Sequence, residues 1–327
     1  QYKNVVKNYY FISYDIDSNR FLQTIISCRK ERRIKMTMKE QYAAHLEAYE
    51  EQKKGSHAHF WINQTKRYIH PFQMFGNLYY VGDDNICMHI VDTGDGLILC
   101  DAGNYGTEGM LVNAIWEAGF NPYDIKWLIL SHGHLDHIGC AEFFRTMYGC
   151  KIYIGEPDAK MFKERPELSA VQDSPSCLYQ LFEPDEVIHD GDVLTFGNTT
   201  IQFYLVPGHT EGCIAYFFDI TDGKETKRAG YYGGFGFNTL LKDYLIEIGD
   251  PEYKMRKVYL DSLKKVRDQH VDVFMGNHTI NNKLVEKRQY MLEHPGENPF
   301  VDETAWGAYL DEKRDALLEF MKDPVNN

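Results

Sequence analysis

The sequence predicts an α/β protein: a four-layer αβ/βα sandwich, two sheets face to face with helices outside them, and a helical appendage at the N-terminus. Three observations predict it. Apolar strand-like segments alternate with helical ones through both halves of the chain. Three of those strands run into sharp turns that carry histidine. The 327 residues, 43% of them hydrophobic, are enough to bury a large core.

The elements follow in order. Residues 38–54 (MKEQYAAHLEAYEEQKK) hold good helix formers without Gly or Pro, which predicts a helix. It belongs to an N-terminal extension, residues 1–55, ahead of a main domain over 56–327. Strands are expected at NLYYVG, ICMHIVDTG and GLILCDAG, the last two joined by the TGDG turn. Residues 107–119 predict a helix capped by Thr107 and stopped by Gly119. DIKWLILSH reads as a buried strand, AEFFRTMYG as a helix and KIYIG as a strand. Residues 155–184 are polar and proline-punctuated, a helical excursion. Strands recur at 186–206 and 213–219, a charged helix at 251–269, a strand at VDVFM (271–275) and a helix at the C-terminus.

The chemistry concentrates in SHGHLDH, residues 131–137. It puts His132, His134, Asp136 and His137 within six residues, directly after the apolar WLIL. His132 and His134 are two positions apart, too close for the i, i+4 spacing of a helical metal pair. A tight loop leaving a strand can aim His132 and His134 at one point and Asp136 and His137 at a second. Nitrogen and carboxylate donors without thiolate suit zinc. Further donors stand at strand ends elsewhere: His209 in PGHTEG after IQFYLV, and His278 in GNH after VDVFM. The other histidines lack this setting. His57 and His59 in SHAHF have no strand before them and no Asp-His after them. His89 lies inside a strand pattern, and His45, His189, His270 and His294 lie in polar stretches; these read as packing or surface residues. His70, before Pro71, is a candidate for the rim of a site.

With the DAG turn at Asp101–Gly103, SHGHLDH, PGHTEG and GNH in this order and spacing, residues 70–320 resemble the metallo-β-lactamase fold superfamily. Most members of that superfamily carry an aspartate between the third and last histidines, and the first lactamase subclass carries a cysteine. The corresponding stretch here, AGYYGGFGFNTLL (229–241), has neither. In that respect the chain is similar to the third subclass of metallo-β-lactamases, as it is in FGNLYYVG (75–82) and NPFVDETAWGAYLDEKRDALLEFM (298–321). The resemblance implies two Zn2+. His132, His134 and His209 would hold the first, and Asp136, His137 and His278 the second. Asp136 would also act in catalysis by orienting the attacking water, and Asp101 would support a ligand from behind. The implied activity is hydrolysis of a cyclic amide such as a β-lactam by a water that two zinc ions acidify. The competing expectations are a lactonase or thioesterase of the same fold and a non-catalytic zinc-bound module. The glycine-rich YYGGFGF departs from the small-Asp-Ser turn usual at that place.

The remaining features bound the partners. A formal net charge of −13 argues against a nucleic-acid surface, leaving a small-molecule substrate as the expected partner. No apolar run is long enough for a membrane span. Seven cysteines without framework spacing, and the order FLQTII then RKERR, which reverses that of a signal peptide, lead to the expectation of a cytoplasmic protein with reduced thiols. Cys140 and Cys213 follow the ligand motifs directly and are expected to pack as small apolar groups.

Overall fold

A computed structural model describes residues 37–52, 64–169 and 181–326. By internal contacts the chain divides into two units, residues 1–58 and 59–327. In the first, α1 (Met38–Gln52) starts at a capping box. Glu40 N–H donates to Thr37 Oγ1, and Thr37 N–H donates back to the Glu40 carboxylate. His45 is exposed on this helix. His57 and His59 lie outside the described residues.

The second unit holds two sheets. The larger has seven strands in sequence order: β1 (Phe72–Phe75), β2 (Leu78–Tyr80), β3 (His89–Asp92), β4 (Leu97–Cys100), β5 (Ile125–Ile129), β6 (Lys151–Gly155) and β7 (Glu186–Ile188). β1 to β4 pair antiparallel. β4 to β7 pair parallel, each crossover carrying helix. The smaller sheet runs β12 (Val273–Met275), β11 (Thr226–Tyr232), β10 (Ile214–Thr221), β9 (Thr199–Leu205), β8 (Val193–Phe196).

One core lies between the sheets, where Tyr80, Val91, Ile98 and Ile129 of the first meet Phe203, Tyr216, Phe218 and Tyr231 of the second. A second core packs the outer face of the large sheet under α2 (Glu108–Glu117), α4 (Ala141–Tyr148) and α5 (Glu156–Glu164). A third packs the small sheet under α7 (Lys254–Val266) and α9 (Ala305–Phe320), with Trp306 buried at its centre. Both faces of both sheets are thus covered, giving four layers, helix–sheet–sheet–helix. The short helices α3 (Leu135–Ile138), α6 (Lys242–Glu247) and α8 (Leu284–Glu293) complete the unit.

Local chemistry explains most boundaries. The TGDG turn joins β3 to β4 with Gly94 and Gly96 at positive φ, and Thr93 Oγ1 donates to Gly96 O. α2 ends ahead of Gly119, which sits at φ +91. Its start differs from expectation: Thr107 makes no side-chain cap. The Thr107 hydroxyl is buried and donates to Asn104 O instead, beside Cys140 Sγ. The excursion from 155 begins with α5 and a 3₁₀ turn, Pro166–Ser169; residues 170–180 lie outside the described residues.

Candidate metal centre

The loops that leave β4, β5, β9 and β12 meet at one edge of the sandwich. Parallel β4 and β5 end side by side, so Asp101 and Ser131–His132 emerge together. His134, Asp136 and His137 follow in the loop and in α3. β9 delivers His209, and β12 delivers His278, which forms an isolated antiparallel bridge with Ile86. The structure therefore brings all six ligand-type residues together. His134 Nδ1 and His209 Nε2 are 2.8 Å apart. The donor atoms of His132, His134 and His209 lie within 4.8 Å of one another. In the neighbouring cluster, His137 Nε2 is 3.1 Å from His278 Nε2 and 3.4 Å from Asp136 Oδ2, and His278 Nε2 is 3.5 Å from the same oxygen. His132, Asp136 and His137 also offer atoms within 4.8 Å of one another, so the two clusters adjoin.

The outer nitrogens of the imidazoles are fixed from behind. His209 Nδ1 donates to Gly236 O (2.9 Å) and His137 Nδ1 donates to Asp101 Oδ2 (2.7 Å). A carbonyl or carboxylate can only accept, so each Nδ1 carries a proton and each Nε2 is left to face the cluster. His132 Nδ1 lies 3.0 Å from Ser131 Oγ. Its Nε2 is buried without a hydrogen-bond partner among the described residues. An orphaned buried nitrogen aimed into a ring of other histidine nitrogens fits a metal cation, which would complete its valence.

Electrostatics agree with that fit. Burial, reinforced by the other histidines, holds His132 and His134 well below the usual imidazole range. Burial first, and then His137, draws His278 down to about 3. Burial also draws His209 down, to about 4, against its bond to Gly236. These four are neutral at pH 7, the form that binds metal. Burial opposes charge on His137 too, but Asp136 and Asp101 outweigh it and lift it to about 10. The field that favours a proton there favours any cation. Burial pushes Asp136 up, and His137 and His278 more than reverse that, so it stays ionised.

Asp101 gathers this edge together. It is fully buried at φ +60, a strained backbone for a residue other than glycine. It accepts from Ser131 N–H (2.7 Å), Ser131 Oγ (2.8 Å), His137 Nδ1 and Tyr231 OH (2.5 Å). Ser131 and Tyr231 did not stand out in the sequence; the serine of SHGHLDH was the available signal for the first. The glycines after β11 run close to the cluster. A Cβ on Gly233 would lie 2.7 Å from Ser131 O, and one on Gly234 would lie 2.9 Å from His209 Cβ. The backbone of YYGGFGF thus packs directly against the Ser131 and His209 loops.

The remaining histidines stand apart. His70 is exposed and pairs with Glu117 on α2. His89 is buried between Tyr80 and Tyr231. His189, His270 and His294 pair with Glu156, Asp272 and Tyr290. Cys140 and Cys213 are free, buried thiols outside both clusters, and burial raises both far above the usual range. A cleft of about 170 Å³ opens beside His209, lined by Met161, Arg165, Leu168, Tyr244 and Met255. No helix among the described residues is long and apolar enough to cross a membrane.

Comparison with known proteins accords with this geometry. Residues 81–222 match the family model of the metallo-beta-lactamase superfamily. The chain is similar to the hydroxyacylglutathione hydrolase GloC of Haemophilus influenzae, 29% identical over 46% of this chain and 68% of that protein. In structure it is similar to BJP-1, a subclass B3 metallo-beta-lactamase of Bradyrhizobium japonicum, with TM-score 0.68 and 26% identity over 78% of this chain and 95% of that one. It is likewise similar to the FEZ-1 metallo-beta-lactamase of Legionella gormanii, with TM-score 0.68 and 27% identity over 78% and 97%. Fold and hydrolase-named relatives support a metal-dependent hydrolase with the metallo-beta-lactamase fold.

Proposed function

We propose that this chain is a dizinc hydrolase that opens a cyclic amide, with β-lactams as substrates. The observation that carries the proposal is the pair of adjoining three-residue clusters, with glycine backbone in place of a bridging acid. In this reading His132, His134 and His209 hold one zinc and Asp136, His137 and His278 the other, all within a hydrolase domain at 56–327. Five imidazoles and one carboxylate suit zinc and leave two dications with most of their charge.

Bound zinc would supply a Lewis acid and a water acidic enough to attack at neutral pH. The protein's own groups do the rest. Gly236 O and Asp101 hold the tautomers of His209 and His137 so that neither ring can turn away. Asp136 is the carboxylate of the site, with its side chain about a third exposed at 35%, and it can accept a proton bond from the attacking water and orient it. The net positive charge that bound zinc would keep beside these residues would stabilise an oxyanion. The cleft beside His209 gives a small molecule an approach to the first cluster.

The test is a panel of a penicillin, a cephalosporin, a carbapenem, a lactone and a thioester, each assayed with the zinc-loaded protein and its chelated form. Chelator-sensitive opening of at least one β-lactam is expected. A loaded protein that opens none, yet cleaves the lactone or thioester, replaces the β-lactam reading with an ester or thioester hydrolase. That second reading draws on the similarity to a hydroxyacylglutathione hydrolase.

A further inference from the structure

The metal clusters need their loops held in register, and the second is held by Asp101. The first has a counterpart from an unrelated element. Asp158 lies in the first turn of α5 and is completely buried. Its carboxylate spends every visible bond on the two loops that carry the first cluster. Asp158 Oδ2 accepts from Gly133 N–H (2.6 Å), the residue between His132 and His134. The same oxygen accepts from Thr210 Oγ1 (2.7 Å), the residue after His209. Asp158 Oδ1 accepts from Gly212 N–H (2.9 Å).

The fit is close on each side. A Cβ on Gly212 would lie 2.5 Å from Asp158 Cγ, and one on Gly155 would lie 2.1 Å from Gly212 O. A Cβ on Gly133 would lie 2.6 Å from Met161 Cε and 3.3 Å from Asp158 Cβ. The glycines of SHGHLDH and PGHTEG therefore let the α5 N-terminus press against both ligand loops at once. An aspartate in this place, with a buried charge and no cationic partner among the described residues, is a costly way to pack a helix. Two backbone N–H groups and a hydroxyl balance that cost only if their geometry is kept.

We infer that Asp158 is a positioning residue for the first metal site: it clamps the His132–His134 loop to the His209 loop and sets the spacing of the three imidazoles. The inference rests on the dizinc reading above. It goes beyond it in assigning a role to a residue of α5 that ligates nothing and touches none of the six ligands. Once the three bonds are broken, the two loops are free to drift, and a tridentate site loses affinity when one donor strays. Supporting groups of this kind are worth about ten- to a hundredfold in metal affinity.

The test uses the full chain with Asp136→Ala, which leaves only the first cluster complete, and competes it for zinc against a chromophoric chelator. Adding Asp158→Asn keeps the shape but turns a donor toward donors. It is expected to raise the zinc Kd about ten- to a hundredfold. Thr210→Val, which removes one bond, is expected to raise it less. In a His209→Ala background, where the second cluster alone binds, Asp158→Asn is expected to leave the Kd within about threefold, since its bonds do not reach that cluster. Near-UV circular dichroism follows folding. Equal zinc affinity with and without Asp158 would overturn the clamp alone. Equal weakening of both clusters, or loss of the near-UV signal in both Asp158→Asn and Thr210→Val, would make the residue structural and overturn it too. An Asp136→Ala chain that binds no zinc would overturn the metal-site reading, and this inference with it.

Discussion

Replacing Asp101 with asparagine should destabilise the metal-free protein by roughly 3–5 kcal/mol, and the figure follows from four hydrogen bonds. Asparagine tolerates the left-handed backbone that Asp101 adopts at φ +60, so the turn keeps its shape. The best orientation of the amide puts its oxygen where Oδ2 stands, facing Ser131 Oγ, His137 Nδ1 and Tyr231 OH. Its NH2 then faces Ser131 N–H, donor against donor. Leaving that buried N–H unpaired costs about 1–3 kcal/mol. The other three bonds lose charge assistance, at about 1 kcal/mol each, and removal of a buried charge returns part of the total. The assay is urea unfolding of the chelated protein at pH 7, with an unchanged m-value as evidence that the loss lies in the native state. The His137 imidazole, lifted to about 10 by Asp136 and Asp101 against burial, should titrate lower in the variant by NMR. A loss under about 1 kcal/mol, with His137 unmoved, would refute the assignment of Asp101 as the acceptor that organises this edge.

Three further outcomes are expected. Metal analysis after zinc loading should find about two ions per chain, and Cys140→Ser with Cys213→Ser should leave that content unchanged, because both thiols lie outside the clusters. Asp136→Ala should lower hydrolysis by roughly a hundredfold or more while one zinc stays bound, since the second metal and the orienting carboxylate are lost together; near-full activity would refute its role. The chelated protein should be most stable near pH 6.5. Below that, His209 (about 4) and His278 (about 3) stay neutral in the fold while the unfolded chain gains protons, so each costs about 1.4 kcal/mol per pH unit as pH falls toward its folded value. Above it, the stability that His137 contributes as a cation is lost as pH rises toward about 10. Asp158, raised by burial to about 6, runs against the histidines between its ordinary value of 3.8 and 6, one group opposing several. Urea midpoints across pH 4–9 check the curve, and a monotonic profile would refute it.

The sequence made the candidate ligands legible because metal chemistry is local in the chain. SHGHLDH packs four donors into one strand-to-helix turn, and PGHTEG and GNH each announce a strand end. The fold was legible for a related reason: apolar strands and glycine turns mark their own boundaries, as TGDG does between β3 and β4. What holds the donors in place was not legible. Tyr231 reaches Asp101 across 130 positions, and Asp158 reaches Gly212 across 54. Neither has a signal in its own neighbourhood. Tyr231 looks like an ordinary strand aromatic, and Asp158 looks like the acidic residue common in any first helical turn.

The glycines of YYGGFGF show the same division from the other side. In the sequence they appear as the loss of an acidic residue. In the fold they are the only residues that fit, because a Cβ on Gly233 or Gly234 would strike Ser131 or His209. Their backbone also supplies Gly236 O, which fixes the His209 tautomer. At this place it is main chain that orients His209, a candidate ligand. The second cluster then depends on His278, and on the Ile86 bridge that seats it. In the dizinc reading, with no acid in 229–241, His278 is the third donor of the second cluster beside Asp136 and His137.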